Sequence, residues 1–191
     1  MLTTLSNLAA AFGLSTASGL NAYLPLLVVA LTARYTNFIT LNKPWDILTN
    51  PWVIGVLTVL LLIELTVDKI PAVDTLNDII QTVGRPVAGA IVFAASSGTF
   101  GELNPVLAFI AGLILAGSVH AAKSTARPLI TATTGGMGNW LVSAAEDVVS
   151  LVTAVLSVLV PLLVMVVIVG VMIFVAWRWS ARRHRKLLRE T

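Results

Sequence analysis

From Val148 to Trp177, thirty consecutive residues carry no charge, and only Pro161 interrupts them as a helix former. At 1.5 Å per residue, one helix over this run would reach ~45 Å, well beyond a ~30 Å hydrocarbon core. In lipid every backbone N–H and C=O must be satisfied within the chain, which leaves helices or closed barrels. The apolar stretches are continuous rather than alternating, so a barrel is disfavoured. The run is therefore either one tilted, kinked helix or two spans joined by a tight hairpin near Ser157 to Pro161.

Six apolar segments can be drawn in all: 9–33, 51–67, 86–100, 104–122, 140–158 and 161–178. Only 11% of the 191 residues are charged, against roughly 25% in a soluble domain, so no soluble domain fits beside them. The expected fold is all-α, a polytopic transmembrane helical bundle of about six spans with broken helices over residues 1–178. A basic tail, 179–191, follows. Six of the twelve Lys and Arg residues fall between Arg178 and Arg189, directly after the last apolar run, the usual mark of a cytoplasmic end. Six spans with that end inside place ten basic residues inside and two, Arg34 and Lys43, outside; five spans give eight against four. The positive-inside rule favours six.

The expected setting is a bacterial inner membrane, crossed several times, with the C-terminus cytoplasmic. The tail suits a topogenic role and anionic lipid better than nucleic acid, which is not expected as a partner. A homo-oligomer is expected. Met1 to Leu8 carry no Lys or Arg, so the basic start of a cleavable signal peptide is missing and the N-terminus is expected to stay in the first span. Without cysteine there are no disulfides, thiolate metal sites or thiol nucleophiles.

The first span is interrupted. From Gly13 to Pro25 it holds Gly, Ser, Asn and Pro, all weak helix formers. A break at bilayer depth is tolerated only where it is buried in protein or lines a cavity. The same small residues also suit close helix packing. A faint internal repeat sets Tyr23-Leu24-Pro25 against Ala126-Arg127-Pro128, each followed by an Asn/Trp-led apolar span with an acidic pair. Three spans per half would make a 3+3 inverted repeat, a plan used by transporters whose site lies at the repeat interface.

Ionisable residues stand where hydrocarbon belongs. His120, Lys123 and Arg127 share one helical face, as do Glu64 and Asp68, while Glu146 and Asp147 head another span. Such groups persist in a membrane when they pair or face water, which makes them functional-site candidates. Arg85-Pro86 and Arg127-Pro128 look like two helix starts, with Pro at the first helical position and each Arg near an N-terminal dipole that an anion would complete. The Gly/Thr-rich stretch Thr131 to Asn139 is a candidate anion nest or an ordinary loop. Pro71 to Ile80 reads as a separate short amphipathic helix capped by Asp74, with Leu76, Ile79 and Ile80 on one face.

The binding set expected for an anion is Lys123, Arg127, Arg85, His120 and Asn21. Glu64, Asp68, Glu146 and Asp147 are expected to balance charge or carry a coupling proton or cation, with His120 as a gate or relay. Only two histidines exist, and no paired-histidine zinc motif or nucleophile elbow appears. No cofactor is expected, and an enzyme is disfavoured. A carboxylate-held metal would need three or more acids converging on one point.

Three stretches carry a family resemblance: Ser18 to Pro25, Asp68 to Asp74, and His120 to Pro128 with Thr133-Thr134-Gly135-Gly136. They resemble a bacterial integral-membrane family catalogued only as a domain of unknown function, over about residues 8 to 165. The resemblance implies no activity. The residues themselves suggest a small permease for an anionic or phosphate-bearing solute or lipid headgroup. The rival is a membrane scaffold locked by buried charge, and an intramembrane metal enzyme comes third.

Overall fold

The computed structural model describes the backbone of residues 2–67, 71–97, 104–135 and 138–187, and the side chains of 4–67, 79–97, 104–135 and 138–178. The described residues form seven α-helices: α1 (Leu2–Ser18), α2 (Tyr23–Tyr35), α3 (Pro51–Val67), α4 (Pro71–Ser97), α5 (Pro105–Thr134), α6 (Asn139–Leu159) and α7 (Pro161–Leu187). A short 3-10 turn, Trp45–Thr49, precedes α3. There are no strands among them. Four stretches are long and apolar enough to cross a membrane: Ile79–Ser97 within α4, all of α5, all of α6, and Pro161–Arg178 of α7. α2 and α3 are apolar but shorter.

α1 is the centre of the bundle, in contact with α2, α4, α5, α6 and α7. α4 and α5 run antiparallel, with Gly89 against Gly112, Pro86 against Gly117 and Thr82 against His120. α6 runs antiparallel to α1, since Ser157 meets Gly13 and the Ser150 hydroxyl donates to the Ala17 carbonyl. The core between these helices is Ala-, Gly- and Ser-rich, the composition that lets backbones approach closely when lipid supplies no hydrophobic drive. A Cβ on Gly112 would run into the Gly89 carbonyl and Phe93, so this crossing needs a bare backbone.

Local signals explain the ends of α5. Asn104 caps it by accepting from the Val106 N–H at 2.8 Å, and Pro105 opens the first turn. Gly135 closes it in the left-handed conformation, φ 60°. The window of α4 is 56% buried and that of α7 only 6%, so α4 lies inside the bundle and α7 presents apolar residues on nearly every side.

Several expectations need correction. Pro71 to Ile80 is no separate helix, because α4 runs unbroken from Pro71 to Ser97 and Asp74 sits inside its first turns rather than at a cap. Neither Arg-Pro pair starts a helix: Pro86 and Pro128 both lie inside, in α4 and α5. Proline costs a helix one donor, but in a packed bundle the freed carbonyl can find other partners, and Pro86 fits against the bare Gly117. Thr131 to Thr134 is the last turn of α5, not a loop nest. Residues 86–97 of the segment drawn at 86–100 belong to the longer α4, residues 98–100 lie outside the described residues, and the segment drawn at 104–122 is the first part of the longer α5. The final run, which the sequence left open, forms two helices over the segments drawn at 140–158 and 161–178, parted by the single residue Val160 (φ −138°, ψ 60°). α7 runs from Pro161 to Leu187.

Candidate functional site

The first apolar segment folds as two helices because residues 19–22 leave helical geometry between α1 and α2. Gly19 lies so close to α5 that a Cβ there would meet the Ala116 carbonyl at 2.6 Å. Asn21 then restarts the helix. Its Oδ1 accepts from the N–H groups of Tyr23 (3.1 Å) and Leu24 (3.0 Å), the pattern of an N-cap. These two donors fix the amide orientation, so Nδ2 must point the other way, and it donates to Asp147 Oδ1 at 2.9 Å.

Charged side chains meet the two loose ends. Lys123 Nζ donates to the Leu20 carbonyl at 3.3 Å, just past the end of α1. Glu64 Oε1 accepts from the Ala22 N–H at 3.4 Å, at the start of α2. A cation at a C-terminal end and an anion at an N-terminal end are what the two half-helix dipoles favour.

Each of these groups belongs to an ion pair. Lys123 Nζ is 2.8 Å from Glu146 Oε2. Arg85 reaches Glu64 Oε1 through Nη2 at 3.1 Å and Nε at 3.3 Å, and the two residues are 0% and 1% exposed. Arg85 Nη1 also lies 3.2 Å from His120 Nδ1. A guanidinium only donates, so Nδ1 accepts, and the His120 proton sits on Nε2, facing the Thr82 hydroxyl at 3.2 Å. Thr82 is exposed, which brings this chain of contacts out to the protein surface.

The helices aim these groups by simple periodicity. One stripe of α5, Ala108, Gly112, Ala116, His120, Lys123 and Arg127, is buried at spacings of three and four. Its first half packs small residues against α4, and its second half turns polar at the level of the break. α3 buries Leu57 and Glu64 alone. Arg85 and His120 lie near the midpoints of α4 and α5, so the network is far from either end of both helices.

Of the residues expected from sequence, Asn21, Glu64, Arg85, His120, Lys123, Glu146 and Asp147 gather around the break. Arg127 is buried one turn beyond Lys123 on the same stripe. Asp68 lies outside the described residues. Three contributors were not anticipated: Thr82, one turn before Arg85; the backbone of Leu20 and Ala22; and Ser150 of the α6 serines, whose hydroxyl donates to the Ala17 carbonyl. The last had a visible signal, since Ser143, Ser150 and Ser157 recur every seven residues and all are buried. Among the described residues, no three His, Cys, Asp or Glu side chains converge as a metal ion would require.

A family model described as "Domain of unknown function (DUF4126)" matches residues 8–181. No curated protein and no solved structure matches the chain.

Proposed function

The chain belongs to the DUF4126 family, a domain of unknown function, so its activity has to be read from the site, and we propose that it is a small proton-coupled permease for an anionic or phosphate-bearing solute. The observation that carries this is the helix break held between two ion pairs. Discontinuous helices with charged residues at their loose ends are where membrane carriers bind their substrates.

The chemistry follows from the pairs. Each cation, Arg85 and Lys123, faces a carboxylate at hydrogen-bond distance. An incoming anion must therefore compete with Glu64 or Glu146. Protonating that carboxylate removes its claim on the cation, so one proton and one anionic group enter the site together and charge in the low-dielectric interior stays balanced. Arg85 offers the planar fork that suits carboxylate or phosphate, and Lys123 a point charge. Thr82 and His120 form the surface approach. The protein sits in a bacterial inner membrane with its basic C-terminus cytoplasmic, as the excess of Lys and Arg on that side favours, and assembles as a homo-oligomer.

Proteoliposomes loaded with a pH dye test this. Phosphate, phosphorylated headgroup analogues and small carboxylates are supplied outside in turn, and one class should acidify the lumen. Glu64→Gln and Glu146→Gln each strand a cation and lower stability, so their flux is compared per amount of monodisperse protein, and both should lose proton movement. Wild-type vesicles that move neither protons nor any member of the panel would sink the proposal.

One observation favours a second reading, a scaffold locked by buried charge: both ion pairs close on groups of the chain itself. In a scaffold, variants that keep the fold leave the partner complex intact and there is no flux to lose.

A further inference from the structure

The Lys123 ammonium lies in surroundings that suit a bare monovalent cation. The break frees the Leu20 carbonyl, which accepts from Nζ at 3.3 Å, and Glu146 Oε2 stands at 2.8 Å. Both ligands are oxygens, one a backbone dipole and one a carboxylate. The neighbouring Asp147 is tied to the break through Asn21 at 2.9 Å. The Lys123 side chain is only 3% exposed, so its head has shed most of its water, whereas a lysine that merely snorkels carries its ammonium outward. Hard cations take oxygen ligands of this mixed kind, and unwound carbonyls at half-helix ends coordinate sodium in broken-helix carriers.

We propose that the Leu20 carbonyl and the Glu146 carboxylate form a monovalent-cation site, which this chain fills with its own tethered ammonium. Lys123 holds the place that a mobile coupling cation occupies elsewhere, so solute movement needs no external sodium. Only that last consequence rests on the permease function; the site itself does not.

Lys123→Ala removes the tether and leaves both oxygen ligands in place. The purified variant should melt below wild type in choline chloride and rise by about 5 °C in saturating potassium, ammonium or sodium chloride at equal ionic strength. Wild type should not respond to the exchange. The double variant Lys123→Ala/Glu146→Gln should show no cation response, because the carboxylate ligand is gone. If the single variant is too unstable to melt in choline, it is purified in potassium and exchanged into choline, and loss of monodisperse protein on exchange is the readout. A response to sodium or potassium alone supports the site and names the preferred ion. Equal melting of Lys123→Ala in choline and in all three salts overturns the proposal, as does a wild type that responds equally. Either result leaves the permease proposal standing, since that is judged by flux in wild-type vesicles.

Discussion

Arg85 is the residue whose surroundings demand the most. It is wholly buried, donates through Nε and Nη2 to Glu64 and through Nη1 toward His120, and so links α3, α4 and α5. Removing one member of such a pair strands the other charge, at about 3–5 kcal/mol, whereas removing both can be nearly neutral. Arg85→Met should therefore destabilise by that order in thermal melts, and Glu64→Gln in the same chain should recover most of the loss. Additive losses would mean that the two side chains do not act as a pair. Single-residue chemistry also fixes what His120 does here. Its Nδ1 receives a donor from a guanidinium, which is compatible with the neutral ring and places its proton toward Thr82.

At the scale of elements, the helices are held by close approach rather than by large apolar side chains. Gly112 and Gly89 bring α5 and α4 together, and the Ser15 hydroxyl of α1 donates to the Gly112 carbonyl at 2.9 Å. Gly112→Val should force this crossing apart and cost about 1–3 kcal/mol, the usual range for overpacking. Gly55 and Gly170 have nothing within 4 Å of a notional Cβ and lie inside α3 and α7. Alanine there should be neutral or stabilise by up to about 1 kcal/mol, as expected for a helix interior. Melting curves of the three variants separate packing from propensity, and a destabilising Gly170→Ala would reveal a partner on α7.

For the whole molecule, the basic tail and the loop 36–50 are expected on opposite sides of the membrane. The absence of cysteine makes this simple to check, because single cysteines can be introduced against a silent background. In intact cells a membrane-impermeant maleimide should label Lys43→Cys and spare Thr191→Cys, which should label only after permeabilisation. The reverse pattern would invert the topology, and labelling of both would require an even number of crossings between the two positions.

The sequence by itself determined the solvent and the class of this fold. Uncharged runs of this length have no folded state in water, and in lipid the backbone leaves them little choice but helix, so an all-α membrane bundle was legible from Val148–Trp177 alone. Periodicity also placed His120, Lys123 and Arg127 on one face, because spacings of three and four are a local property of the helix. The weak helix formers between Gly13 and Pro25 announced a break. Only the tertiary structure decided that the break falls at residues 19–22 and which charges meet it. Pairing across helices depends on how α3, α4, α5 and α6 dock around α1, which no local pattern encodes. For the same reason Pro86 and Pro128 misled as helix starts. Proline's preference for the first turn is a local tendency, and both prolines sit inside longer helices, Pro86 half-buried beside Gly117 and Pro128 exposed on α5.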